Sequence, residues 1–369
     1  MKRINANVDV LLKSGGQGDI AKYLMANGQL NIGSRRPFID DNGNAYVTVY
    51  TGGNPKKATS YHTYQVPLTN ATLRRDEWKS LDDALLDVSR TRLIGIQDLV
   101  DNGLTYNLGN AMGTTILEYH DVSDAFEAEL TMDGITRAKN DRPDFNYHYL
   151  PIPIIHIDYE INARELAASR NLGNPLDTID AQIAARKVAE KLEAMLFTNT
   201  TYSWGEKGSN GRNTIYSYVN HPDRNLINLS IAWNSSAMTG AGIIQDVLEM
   251  KQASIADYHY GPWMLYIPTT YETVLDDDYD STTPGTTIRE RIMKINGIKG
   301  IKVIDTLTDG NVLLVQMTSD VVRLVRGMGL QNVEWKSEGN MVTNYKVMTI
   351  QVPQIRSDYN KRSGIVHLA

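Results

Sequence analysis

From Thr72 onward, apolar residues recur every three to four positions. Trp78, Leu81, Leu85, Val88 and Ile96 predict an amphipathic helix. Asp76 and Glu77 suit its start, because acidic side chains are stabilised at the positive end of the helix dipole. Gly95 is the predicted stop, and Asp101-Asn102-Gly103 through Gly113 reads as turns. The pattern then changes to alternation. Ala128, Leu130 and Met132 alternate with Glu127, Glu129 and Thr131, and Ile155, Ile157, Tyr159 and Ile161 alternate with His156, Asp158 and Glu160. Each is the pattern of a half-buried strand. Pro151 and Pro153 lack an amide donor and belong at an edge. A two-stranded arm of this kind is marginal by itself, so it is expected to lie on a neighbouring molecule. Pro175 and Asp177 then open a predicted helix over residues 176–198, roughly 30 Å long. Ile179, Ile183, Val188, Leu192 and Leu196 mark its expected core face, and Arg186 with Glu190 is spaced for an i,i+4 ion pair.

Downstream, polar Gly- and Asn-rich loops run from Thr200 to Asn234. Ile243, Ile244, Val247, Leu248 and Ile255 predict a helix, and Thr286 to Ile295 a second. Apolar runs at Trp263–Ile267, Ile301–Ile304 and Val312–Met317 predict buried strands. Helices interleaved with such strands argue for an α/β layer. The tail from Asn332 to Leu368 is strand-rich, clearest at Val347–Val352. The first seventy or so residues read as an extended arm, broken at Gly15-Gly16 and Gly52-Gly53. Within it, Asp41-Asn42-Gly43-Asn44 is a hairpin turn ahead of Ala45–Tyr50.

Composition narrows the function. The 369 residues carry a net charge of −6, so no overall basic excess marks a nucleic-acid grip. No cysteine is present, which excludes disulfides, thiolate metal sites and cysteine nucleophiles. No stretch approaches the ~18 apolar residues of a membrane span, and the first residues lack the apolar core of a signal peptide. Tyrosine, at 20 against 4 phenylalanines, suits surfaces that become covered on association.

The chemical motifs are weak. Gly16-Gln17-Gly18-Asp19-Ile20-Ala21 fits a dinucleotide turn with Asp40 downstream, but no strand–helix–strand unit follows. Asp276, Asp278 and Asp280 sit at the first, third and fifth positions of a calcium loop, yet Ser281 and Thr287 stand where Gly and Glu are required. The reading is a solvated acidic loop. His148 and His156 have no metal-ligand spacing, and Glu127 with Glu129 reads as a solvated strand face. No catalytic residues, cofactor or metal are expected, and no enzyme.

The order of parts resembles the major capsid protein of tailed phages of the Hong Kong 97 type, a fold shared with encapsulin shells. The likeness runs from about Arg74 to the C-terminus. Arg92–Val100 with Gly103 and Gly113 is similar to the segment after the encapsulin N-terminal helix. Ile116–Ile161 looks like the extended loop (E-loop), Ala185–Phe197 like the spine helix, and Gly261–Pro268 with Ile301–Ile304 like the axial-domain core. Val352–Leu368 looks like closing peripheral-domain strands. The resemblance implies an α+β fold with an N-terminal arm (1–71), a helix and connector (72–115), the E-loop (116–161), a peripheral domain (162–200 with 335–369) and an axial domain (201–334).

It also implies self-assembly through pentamers and hexamers into an icosahedral shell around double-stranded DNA. The place is a virion capsid, built in the bacterial host cytoplasm with no membrane partner. A separate scaffolding protein is expected, since Met1 opens the sequence without a cleaved scaffolding segment, along with a portal and a decoration protein. An encapsulin-type container for a cargo enzyme is the alternative. Two interface sites follow from the resemblance. Asp133, Arg137, Lys139, Asp141, Arg142 and Asp144 would form the loop tip that docks on a neighbour. Asp276, Asp277, Asp278 and Asp280 would line the axial pore, where several copies repel unless cations screen them.

Overall fold

The computed structural model describes residues 38–40, 44–50, 61–66, 81, 83, 93–123, 130, 132, 142–164, 179–199, 201–205, 213–279, 285–336 and 341–369. The glycine breaks, the Gly16–Ala21 motif, the Asn42-Gly43 turn, the predicted strand residues Glu127–Glu129 and most of the helix predicted after Thr72 lie outside them. Within that helix Leu81 and Asp83 are described and helical.

In chain order, β1 (Phe38–Ile39), β2 (Ala45–Tyr50) and β3 (Tyr61–Val66) form an antiparallel three-stranded sheet. Helix α1 (Ile94–Asp101) precedes β4 (Thr105–Asn107), then β5 (Ile116–Val122), β6 (Phe145–Pro151) and β7 (Ile155–Asn162). The long helix α2 (Ile179–Phe197) is followed by β8 (Tyr202–Trp204), β9 (Asn213–Ile215) and β10 (Asn225–Ile227). Helix α3 (Gly240–Ala256), β11 (Trp263–Pro268), α4 (Glu272–Leu275), α5 (Ile288–Met293), β12 (Ile298–Ile304) and β13 (Val312–Gln316) form an α/β stretch. Strands β14 (Val322–Lys336), β15 (Val342–Ile355) and β16 (Ile365–Leu368) close the chain.

Gly95 does not end a helix. It lies in the first turn of α1, where a β-carbon would overlap the Phe197 ring and crowd the Glu193 carboxylate, so its missing side chain permits close approach of α2. Gly103 is the stop. With φ +70° it places its own N–H on Val100 O (3.0 Å) and the Leu104 N–H on Leu99 O (2.8 Å), satisfying the last carbonyls of α1.

Two sheets make the body. The five-stranded sheet runs β10-β16-β13-β11-β12, and the four-stranded sheet β4-β14-β15-β7. Strand β11 is buried along its whole length because both faces are covered. Met264 and Tyr266 face a cluster with Ile96, Leu99, Leu192, Leu196 and Phe197, whereas Trp263, Leu265 and Ile267 face Trp233, Ile243, Val247 and Met250 of the α3 side. Thr239 caps α3 by accepting from the Gly242 N–H (3.2 Å), and Thr287 caps α5 by accepting from the Glu290 N–H (3.2 Å).

Three sequence expectations change here. First, β7 is not the return strand of an arm; it pairs with β15, setting Tyr159 opposite Tyr345 and Asp158 opposite Lys346. The stacked rings lie 5.1 Å apart, and Lys346 Nζ reaches Asp158 at 3.4 Å. Alternation identifies a strand's buried face but not its partner. Second, β14 joins β15 in the four-stranded sheet rather than the α/β sheet of residues 201–334. Third, β16 leaves the other tail strands and inserts between β10 and β13. The chain therefore passes between the two sheets three times, from β7 to β10, from β13 to β14 and from β15 to β16.

Helix α2 bridges the two sheets. Its first half presents Ala181, Ala184, Ala185 and Val188 to the four-stranded sheet, and its second half presents Leu192, Leu196 and Phe197 to the cluster beneath β11. Val188, Leu192 and Leu196 are buried as expected from the sequence, but Ile179 and Ile183 are exposed at 57% and 43%. The packed stripe is built of alanines, which admit the sheet closely. Ile183 is turned about 100° from Ala184 and points away from it. Glu190 pairs with Arg186 at 3.7 Å and more closely with Lys187 at 2.9 Å.

Candidate assembly surface

Strands β5 and β6 form a separate antiparallel ribbon, from Ile116 opposite Pro151 to Val122 opposite Phe145. Pleating divides its side chains into two faces. One carries Leu117, Tyr119, Asp121, His148 and Leu150. It rests on the body, with Leu150 buried beside Ile152, Ile215, Val325 and Val352. On this face His148 Nε2 lies 2.7 Å from Asp121 Oδ2, and the His148 ring stacks on Tyr119 at 5.2 Å.

The other face carries Glu118, His120, Val122, Phe145, Tyr147 and Tyr149, all exposed. Phe145 is 51% and Tyr147 61% accessible, with His120 edge-on to Phe145 at 5.6 Å. Sequence reading missed this aromatic row. Its signal is Phe145, Tyr147 and Tyr149 at spacing two, which the stronger alternation at Ile155–Ile161 overshadows.

Of the expected tip, Asp133, Arg137, Lys139 and Asp141 lie outside the described residues. Arg142 and Asp144 are described and exposed at the ribbon's outer end, where Ser123 and Asp144 are tied twice: Ser123 N–H to Asp144 O (3.0 Å) and Asp144 N–H to Ser123 Oγ (2.8 Å). Leu130 and Met132 are fully exposed and lie outside strands, so the half-buried strand predicted around them is not formed at those positions.

A cleft of about 650 Å³ opens where the ribbon meets the body, lined by Tyr119, Tyr149, His148, Tyr216, His221 and Pro353 among others. Burial pushes His221 down to about 4, with Asp223 opposing, and its Nδ1 accepts from the Asp223 N–H (3.3 Å). Burial, and then the Asp121 charge, push the Tyr119 hydroxyl up.

The acidic loop holds Asp276, Asp277 and Asp278 at the surface; Asp280 lies outside the described residues. Asp276 does not stand free. Arg289 Nε donates to its Oδ1 at 2.7 Å, which engages the first of the calcium-loop carboxylates. Asp277 Oδ1 accepts from the Asp278 N–H (2.9 Å), and Asp278 bridges to Thr287 across the loop. Among the described residues no group of three or more His, Asp or Glu is arranged to hold a metal ion, and no helix is long and apolar enough to cross a membrane.

No curated protein matches the sequence. Solved structures do match the fold. A virus-like particle from Pyrococcus furiosus superposes with a TM-score of 0.56 at 19% identity, over 79% of this chain and 98% of that one. The capsid of Myoviridae phage XM1 gives 0.54 at 10% identity, over 69% and 85%. The capsid of a native GTA particle gives 0.52 at 11% identity, over 73% and 89%. At such identities the likeness is one of fold, and the mixed helix-and-strand body described above is the capsid fold that the order of parts in the sequence resembles. Residues 68–368, nearly all of the body, match a single family, so this chain of Hong Kong 97-type capsid fold belongs to the family of unknown function DUF6260.

Proposed function

We propose that the chain is a major capsid protein, a structural subunit that assembles through pentamers and hexamers into an icosahedral shell around phage double-stranded DNA. The observation that carries this reading is the outer face of the β5–β6 ribbon. Phe145, Tyr147 and Tyr149 stand exposed in a row on an element that contributes its other face to the body. Contiguous exposed aromatics mark surfaces that are covered on association, and the shell fold supplies identical copies to cover them.

On this reading residues 116–151 are the E-loop, shorter than the 116–161 expected because β7 belongs to the body. Helix α2 is the spine. The α3–β13 region is the core of the axial domain, and the four-stranded sheet that of the peripheral domain. Residues 1–71 are an arm across neighbouring subunits. Arg142 and Asp144, with Asp133, Arg137, Lys139 and Asp141, form the docking tip, where mixed charge fixes register. The exposed Ile179 and Ile183 would be covered between subunits. Asp276, Asp277, Asp278 and Asp280 face the ring centre, with the Asp276 charge offset by Arg289. Scaffolding, portal and decoration proteins are the expected partners, the packaged DNA is held without sequence preference, and the shell is assembled in the bacterial host cytoplasm.

The match to the Pyrococcus furiosus particle, which covers 98% of that chain, favours a second reading as a nanocompartment shell. Negative-stain microscopy of the purified chain tests both: uniform angular shells are expected, and a monodisperse monomer contradicts either. Nuclease-protected double-stranded DNA inside native particles separates the phage shell from a container of cargo protein.

A further inference from the structure

Helix α1 lacks its own N-terminal cap. The residue before it is Leu93, which makes no side-chain capping bond, and no acidic residue stands in its first turn. The amides that a capping side chain ordinarily serves are those at the second and third helical positions, here Gly95 and Ile96. Both are served by Glu193 of α2, nearly a hundred residues away. Its Oε1 accepts from the Gly95 N–H at 2.6 Å and its Oε2 from the Ile96 N–H at 3.3 Å. The missing β-carbon at Gly95 makes room for this approach.

The carboxylate is 4% exposed. Around it stand Phe197 from α2 itself and Tyr218 and Tyr266 from the body, with the Phe197 ring 5.5 Å and 5.0 Å from those two rings. The charged and titratable groups facing it are few. From α1 comes Asp98, which accepts from the Tyr266 hydroxyl of β11 at 3.2 Å and lies 3.7 Å from Lys302 Nζ of β12. Tyr218 is fully buried, and its hydroxyl has no hydrogen-bond partner among the described groups. No cation touches Glu193 itself among the described contacts; Lys302 is engaged with Asp98. A carboxylate held by two amides, but enclosed by aromatic rings and beside a second carboxylate, is costly to keep charged.

We propose that Glu193 is a proton-operated latch: docking α1 onto α2 buries this carboxyl together with a proton, so the junction tightens as pH falls and opens more readily as pH rises. Burial sets the direction. It pushes Glu193 from 4.5 up to about 7, with the two amides opposing and Asp98 adding to the rise. The docked state therefore holds a proton that the open, solvated state has released, through the window between those two values. Any rearrangement that separates α1 from α2 is favoured at the alkaline end of that window. The inference rests on the junction alone and is independent of shell assembly.

Hydrogen exchange of the full chain, corrected for intrinsic rates and followed from about pH 4 to about pH 9, tests it. In the wild type, protection of the 94–101 amides is expected to fall by up to about tenfold per pH unit through the window and to level off above it. Glu193→Gln, which keeps one acceptor and cannot ionise, is expected to retain the protection and lose the slope. A flat wild-type profile, or a slope that survives in Glu193→Gln, overturns the proposal. Should that variant not fold, infrared titration of the wild type decides: a buried carboxyl titrating near pH 7 supports the latch, and its absence refutes it.

Discussion

Strands β6 and β11 are both rich in aromatic and aliphatic residues, yet they meet opposite ends. All six residues of β11 are buried, sandwiched between the α2 cluster and the α3 cluster. In β6 only the last two, Leu150 and Pro151, are buried, and Phe145, Tyr147 and Tyr149 face outward. Apolar content alone does not distinguish them; what differs is whether the described residues supply a second layer. The body around β11 is complete in one molecule. Among the described residues nothing covers the ribbon's outer face, and this exposure carries the proposed function.

The largest effect is expected in the body. Leu265→Ala should cost about 2–5 kcal/mol in denaturant unfolding, because both flanking layers are close-packed and a cavity would remain. Next comes the junction. With Glu193 raised to about 7 by burial, this carboxyl holds a proton in the native state that it has released in the unfolded chain between 4.5 and that value. The Glu193 contribution to stability should therefore fall by about 3 kcal/mol as pH rises through the window, read as the difference between wild type and Glu193→Gln unfolded at several pH values, because the buried His221 and His367, both lowered to about 4, slope the other way in both proteins. Gly95→Ala should cost about 1–3 kcal/mol by forcing Phe197 from its place, measured in the same way. Asp276→Asn should change monomer stability by less than about 1 kcal/mol, since its pair with Arg289 is largely solvated. If the acidic loops converge in a ring, the same substitution should shift the divalent-ion dependence of the particle. The smallest effect on folding belongs to the ribbon. Tyr147→Ser should stay within about 0.5 kcal/mol in monomer unfolding while lowering the yield of assembled particles.

The same contrast explains what could be read from the amino-acid order. Elements whose residues meet their environment locally were legible: β11 and β13 as unbroken apolar runs, α3 from its periodic isoleucines, and Val188, Leu192 and Leu196 as the buried part of α2. Features that depend on a distant partner were not. The alternation of Ile155, Ile157, Tyr159 and Ile161 identified a strand but gave no hint that β15 is its neighbour. Ile365–Leu368 reads as one more tail strand, and only the fold shows it between β10 and β13. Ile179 and Ile183 drew the helix face toward themselves, when the sheet instead accepts the smaller Ala181, Ala184 and Ala185. Glu193 had a faint signal, a carboxylate in register with Ala189 and Phe197 on the buried stripe. Its role depends on Gly95, which in the sequence reads as a helix end.

Whether sister copies cover the ribbon's aromatic face decides the proposed function. Electron microscopy of the purified chain tests this directly. Closed angular shells in which Tyr147 and Tyr149 lie beneath a neighbouring subunit are the predicted result. Dispersed single molecules, or shells in which that face remains open to solvent, would contradict it.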